Sequence, residues 1–270
     1  MDTSHFVWSQ NPILYDFGSY QLHYYTLFFI FGIAAGMFIV RAEYMAQKLD
    51  EKVFLRLVFF SFLGIVFGAR LGHCLFYEFG YYIQHPLQMF LPIRFTPGFE
   101  IIGFSGLASH GGGLGILLVI FIFSKKYRID FLKLADMVAL ATPLAGMCIR
   151  IGNFFNSEII GRQTDGFYAV VFKHVDSLPR HPAQLYEAAA CLFIFIILIY
   201  FKKQGVYKKP GFLSGIFLIL LFSTRFLIEF VKENQSPFEN GLLLNMGQLL
   251  SIPYIIAGIY LLIRKEVKSN

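Results

Sequence analysis

The chain has 270 residues and a net charge of +6, with 56% hydrophobic residues, 33 phenylalanines and only 15% charged residues. A soluble domain of ordinary composition carries about 25% charged residues, and so little charge cannot cover an aqueous surface of this size. A soluble enzyme, a disordered chain and a disulfide scaffold are thereby excluded, the last because Cys74, Cys148 and Cys191 are isolated in apolar stretches.

What remains is an all-α integral membrane protein, and its spans follow in chain order. The opening residues MDTSHFVWSQ carry no Lys or Arg and no early apolar run, which argues against a cleavable signal peptide. A bilayer-crossing helix needs about 20 mostly apolar residues. Runs of that kind cover residues 22–40, 53–77, a short 110–124, then 132–154, 182–201, 212–232 and 246–263, about seven in all. Residues 78–109 read as a periplasmic or re-entrant segment, within which FEIIGFSGL (99–107) is too brief to span. Residues 155–181 read as a periplasmic loop, and with the first segment they form a small head on a single polytopic domain covering 1–270.

Positive charge orients the spans. Arg41, Lys48 and Lys52 follow the first span, Lys125, Lys126, Arg128 and Lys133 surround the third-to-fourth connection, and Lys202, Lys203, Lys208 and Lys209 follow the fifth. Arg264, Lys265 and Lys268 end the chain. All these groups fall on one side, so the N-terminus is expected in the periplasm and the C-terminus in the cytoplasm. At about 1.5 Å per residue, Arg150 then lies roughly 27 Å along its span, near the outer face. The same count puts Arg70, Arg225, Glu229, Tyr24, Tyr25, His110, Tyr186 and Glu187 in the outer half. Charge inside a membrane is costly and by default marks function. Asp136 is the exception and reads as a cytoplasmic helix end.

Four segments hold the chemistry. RIGNFFNSEIIGR (150–162) sets Arg150, Asn153 and Ser157 at three- and four-residue spacing, on one helical face if the helix continues. Arginine forks suit phosphate; the alternative is that they snorkel to headgroups. SHGGGLG (109–115) offers either bare N–H groups for an anion, with His110 as a base, or glycines that let helices pack closely. RHPAQLYE (180–187) brings Glu187 to the outer interface, where a carboxylate wants a cation. RFLIEFVK (225–232) sets Arg225, Glu229 and Lys232 in one stripe, with an internal Arg225–Glu229 pair as the structural alternative.

With HYYTL (23–27), GARLG (68–72) and MGQLLSIP (246–253), these blocks make the chain resemble the bacterial prolipoprotein diacylglyceryl transferases over nearly its whole length. Ile149 stands where that family usually has Gly, and the loop between Arg162 and Arg180 is shorter than in many members. The resemblance implies a seven-span enzyme of the bacterial inner membrane whose active site faces the periplasmic leaflet. It implies transfer of a diacylglyceryl group from phosphatidylglycerol to the lipobox cysteine of a prolipoprotein signal peptide. A thioether forms and glycerol phosphate leaves, the first step of lipoprotein maturation.

It further implies that Arg150 and Arg225 bind the phosphate, and that Tyr25, Asn153, Glu158 and Gly161 belong to the active set. Glu229 is expected to orient Arg225, with Glu187 and Arg70 supporting substrate binding. His110 is the candidate base, in competition with an arginine-lowered thiol pKa. The expected partners are phosphatidylglycerol, the signal peptide and membrane lipid, with no nucleic acid, cofactor or metal. An anion transporter is the rival reading, but the inner halves of the spans are nearly uncharged and no two halves match. A membrane protease is another, and neither HExxH nor GxSxG is present.

Overall fold

The computed structural model of the chain describes residues 5–18, 21–76, 78–90, 93–94, 100–101, 108–205, 209–233 and 244–264. In chain order these form strands β1 (Phe6–Trp8), β2 (Ile13–Asp16) and β3 (Gln21–His23), then helices α1 (Tyr24–Ala46), α2 (Glu51–Phe76), α3 (Phe79–Tyr82) and α4 (Leu87–Phe90). Strands β4 (Ile93–Arg94) and β5 (Glu100–Ile101) precede helices α5 (Ser109–Tyr127) and α6 (Phe131–Phe155). Strands β6 (Val170–Phe172) and β7 (Pro179–Arg180) lead to α7 (Ala183–Lys203), α8 (Phe212–Ile228), a 3-10 turn (Glu229–Val231) and α9 (Met246–Ile263).

Six of these helices, α1, α2, α6, α7, α8 extended by its 3-10 turn, and α9, are long and apolar enough to cross a membrane. Large apolar side chains stand outward on them, with Phe38 72% and Phe76 79% exposed. Such exposure suits lipid, which makes no demand for polar cover. Helix α5 has 19 residues, but its glycines and Lys125 and Lys126 dilute its apolar run. The helices also run on beyond the apolar stretches: α1 continues past Val40 through Arg41 and Glu43. Most of the segment at 99–107 lies outside the described residues.

The chain folds as two units, residues 43–135 and the remainder. In the first, α2 and α5 pack along a glycine seam. A Cβ on Gly111 would strike the Gly68 carbonyl oxygen, and one on Gly115 the Gly64 carbonyl oxygen. Small residues four apart let two backbones touch, which is how membrane helices associate without a hydrophobic driving force. The packing reading of SHGGGLG therefore holds for Gly111 and Gly115, whereas Gly113 faces open space. The Ala108 N–H donates to the Ala69 carbonyl at 2.9 Å and so fixes where α5 begins.

In the second unit, Leu140 of α6, Ile194 and Leu198 of α7 and Leu213 of α8 form a core joined by Ile39 of α1. Asp136 ties α6 to α8. Its carboxylate accepts from the Gly211 N–H, the Ser214 N–H and the Ser214 hydroxyl, each at 2.7 Å. This satisfies N–H groups that a helix start leaves without partners. The predominantly helical reading stands, and three short sheets are added to it. Strand β6 pairs parallel with β1 and antiparallel with β7, covering a small core of Phe154, Val170 and Phe172 against Trp8. Strands β2 and β3 form a hairpin that feeds directly into α1.

Candidate active site

Helix α6 delivers Arg150 and Asn153 on one face, and the Arg150 Nη1 donates to the Asn153 Oδ1 at 3.2 Å. The helix does not continue to Ser157, as the spacing suggested. It ends at Phe155, and Ser157 and Ile159 both take left-handed backbone, with φ of 55° and 57°. That conformation costs a β-branched residue such as isoleucine about 1–2 kcal/mol. It turns the chain back on itself, and Glu158 Oε1 accepts from the Asn153 Nδ2 at 2.6 Å. Gln184 of α7 holds the turn from the other side, its Nε2 donating to the Glu158 carbonyl at 2.6 Å.

From Arg150 a chain of charges crosses to α8. The Arg150 Nε lies 3.0 Å from Glu187 Oε2, and Lys232 Nζ lies 3.4 Å from Glu187 Oε1. Lys232 also reaches Glu229 Oε1 at 2.9 Å, and the Arg225 Nε stands 3.7 Å from that same oxygen. The internal Arg225–Glu229 pair is therefore present, and it is one link of a longer series. Asn245 closes the end. Its Oδ1 caps α9 by accepting from the Gln248 N–H, while its Nδ2 donates to Glu229 Oε2 at 3.1 Å. Gly247 leaves room for this, since a Cβ there would stand 2.6 Å from the Glu229 carboxylate.

The carboxylates and the lysine are sheltered and the arginines are not. Side-chain exposure is 2% for Lys232, 7% for Glu229 and 9% for Glu187, against 24% for Arg150 and 28% for Arg225. Among the described residues, Arg150 Nη2 and both Nη groups of Arg225 have no hydrogen-bond partner. Each guanidinium thus pairs with a carboxylate through its Nε, Arg150 also through Nη1 to Asn153, and each keeps donors free. Tyr25, in the first turn of α1, packs on Gly152.

Gly161 is the seam between loop and turn. Its N–H donates to the His181 carbonyl at 2.9 Å and its backbone bridges to Lys232. A Cβ would stand 2.5 Å from the His181 Cβ and 2.7 Å from the Val231 carbonyl oxygen. Beside it Arg180 binds Asp176 at 2.6 Å and Glu233 at 2.8 Å, and its hydrogen bonds to Asp176 hold that carboxyl below its ordinary pKa. Burial depresses the pKa of His181, whose Nδ1 lies 3.2 Å from the Tyr186 hydroxyl.

The structure thus joins Tyr25, Arg150, Asn153, Glu158, Gly161, Glu187, Arg225 and Glu229. Arg70 and His110 belong to the other unit. Arg70 is buried, donating to the Gln88 carbonyl at 2.7 Å and the Met89 carbonyl at 3.3 Å with its guanidinium over Tyr82. His110 stands in the first turn of α5, and its side chain lies outside the described residues. Sequence reasoning did not place Gln184, Lys232 or Asn245 in the site. Lys232 had a signal in its stripe with Arg225, and Asn245 in its spacing to Gln248.

Residues 12–264 match the family model described as prolipoprotein diacylglyceryl transferase. A protein of Bacteroides fragilis named phosphatidylglycerol–prolipoprotein diacylglyceryl transferase is 45% identical over 270 residues, 97% of each chain. Proteins of the same name from Tolumonas auensis and Chloroherpeton thalassium are 42% identical over 95% of this chain and 40% identical over 100% of it, covering 96% and 97% of their own lengths.

Proposed function

Because the chain belongs to the prolipoprotein diacylglyceryl transferase family, we propose that Arg150 and Arg225 clamp the phosphate of phosphatidylglycerol during transfer to a lipobox cysteine. The protein is a multi-pass membrane enzyme that moves a diacylglyceryl group from phosphatidylglycerol to prolipoprotein in lipoprotein maturation. In the proposed step a cysteine thiolate attacks the glycerol carbon that bears the phosphate ester. The carbon–sulfur bond forms as the carbon–oxygen bond breaks, and glycerol phosphate leaves with the electron pair. Negative charge grows on the departing phosphate, and preformed donors aimed at it stabilise the transition state.

One observation carries this reading: two arginines from different helices are held by their Nε edges on one buried charge series, with Nη donors left over. Two guanidinium forks fit a phosphate better than two point charges. Asn153 orients Arg150 and is held in turn by Glu158. The sequence adds that the enzyme crosses seven times with its N-terminus in the periplasm, so the site faces the outer leaflet of the inner membrane. His110 enters as the candidate thiol base from its motif alone, and Arg70 as a support from its position.

The test is purified protein in detergent with phosphatidylglycerol and a synthetic peptide bearing one lipobox cysteine. The expected result is a diacylglyceryl mass gain and glycerol phosphate release, both lost with a Cys→Ser peptide. Arg150→Ala and Arg225→Ala abolish both signals in folded, inserted protein, and Arg150→Lys rescues poorly because an ammonium lacks the fork. Normal turnover in either alanine variant overturns the clamp. His110→Gln is expected to slow alkylation most between the ordinary histidine and cysteine pKa values, where a neutral imidazole can take the proton of a thiol that has not ionised.

A further inference from the structure

We infer that Lys232 is a positioning residue that frees Arg150 and Arg225 for the phosphate, an inference that rests on the clamp reading above. The series contains three cations, Arg150, Arg225 and Lys232, and three carboxylates, Glu158, Glu187 and Glu229. Before a phosphate arrives, each arginine already faces a glutamate. Glu187 shares itself between Arg150 and Lys232, and Glu229 between Arg225 and Lys232. An incoming anion therefore competes with two sheltered carboxylates for the same guanidinium groups.

Lys232 decides that competition. A buried carboxylate stripped of its cation carries a large desolvation penalty. Without Lys232, Glu187 and Glu229 lose their last cation when the arginines turn outward, so they hold the arginines back. With Lys232 at 3.4 and 2.9 Å, both carboxylates keep a partner whichever way the arginines turn. An ammonium suits this place because its three rotatable donors can serve two carboxylates on different elements. Its position is pinned by the backbone bridge to Gly161 and by the Arg162 Nε, which donates to the Lys232 carbonyl at 2.9 Å. At 2% exposure it is closed off from solvent, so it acts through the arginines.

Three variants test this in the full-length enzyme, with phosphatidylglycerol in detergent micelles and the lipobox peptide varied separately. Lys232→Met keeps the apolar stem and removes the charge. It is expected to raise KM for phosphatidylglycerol roughly tenfold, the scale of coupling within one ion-pair network, with KM for the peptide unchanged. Lys232→Arg keeps the charge and most of the affinity. The double variant Lys232→Met with Glu187→Gln again balances the charges and frees Arg150, so it recovers part of the lost affinity while Glu229 still holds Arg225.

A Lys232→Met enzyme with an unchanged phosphatidylglycerol KM overturns the inference, as does a double variant no better than the single one. If Lys232→Met does not fold, the double variant decides: it should fold, with its KM for phosphatidylglycerol raised less than roughly tenfold, and a rise of about tenfold or more there refutes the idea. A parent enzyme that transfers nothing refutes the clamp reading instead, a result separable from either of these.

Discussion

At the scale of single residues, Gly161 is a position where the site has no room for a side chain. A Cβ collides with His181 on one side and the Val231 carbonyl on the other. Gly161→Ala must push the loop away from the turn that presents Lys232. A displacement near 1 Å at supporting structure can cost about 100-fold in rate, so kcat/KM is expected to fall by that order while the melting temperature falls only modestly. His181 carries a pH signature of its own. Burial depresses its pKa below the ordinary 6.5, so the folded chain binds this proton less readily than the unfolded chain. Its effect on stability is absent well above pH 6.5 and becomes a loss as pH falls through 6.5 toward the lower folded value. The drop in melting temperature between pH 7.5 and 5.5 is expected to shrink in His181→Phe. Residue by residue, the sequence showed what local spacing can show. Arg225 and Glu229 lie four apart on one helix and their pairing was readable. The Lys232–Glu187 contact joins α7 to the residue after the 3-10 turn, and a lysine at the end of an apolar run looks the same whether it snorkels to headgroups or turns inward. Whether Ser157 joins the face turns on whether the helix continues, because Asn153 to Ser157 is helical spacing while the left-handed backbone that ends it lies beside the tertiary contacts around Glu158.

At the scale of elements, the helices were legible because lipid demands long apolar runs and little else. Their ends were less so, since a helix in water beyond the apolar core has no hydropathy signal: α1 runs through Arg41 and Glu43. Strands β1 and β6 were invisible, being three residues each and paired across most of the chain. The glycines carried two readings at once, and the seam between α2 and α5 divides them. Gly115→Val drives a side chain into the Gly64 backbone and is expected to cost about 1–3 kcal/mol or more. Gly113→Ala meets nothing within 4 Å and is expected to leave the melting temperature unchanged or slightly raised. Thermal unfolding of the two variants in one detergent separates the packing glycines from the free one. Equal losses in both would show that the seam is not what holds these helices. At the start of α8, Asp136→Ala removes the acceptor for two N–H groups and a hydroxyl, and a loss of about 1 kcal/mol is expected from the cap alone.

At the scale of the whole molecule, the proposed seven crossings and their direction rest on one charge pattern, and three exposed lysines test both. Lys48 lies between α1 and α2, Lys126 near the end of α5, and Lys173 in the loop before α7. All three native cysteines are buried, so a single new cysteine at each lysine reads against a low background. Seven crossings with the N-terminus outside place positions 48 and 126 in the cytoplasm and 173 in the periplasm. A membrane-impermeant thiol reagent added to intact cells should then label Lys173→Cys alone, and reach the other two only after permeabilisation. If α5 dips without crossing, the sides of 126 and 173 exchange while 48 stays inside. If the whole molecule is inverted, 48 and 126 label and 173 does not. The expected pattern is also the only one of the three that sets Arg150 and Arg225 toward the periplasmic leaflet. There a secreted cysteine and a lipid phosphate can meet, so the positive-inside bias and the proposed chemistry favour the same topology.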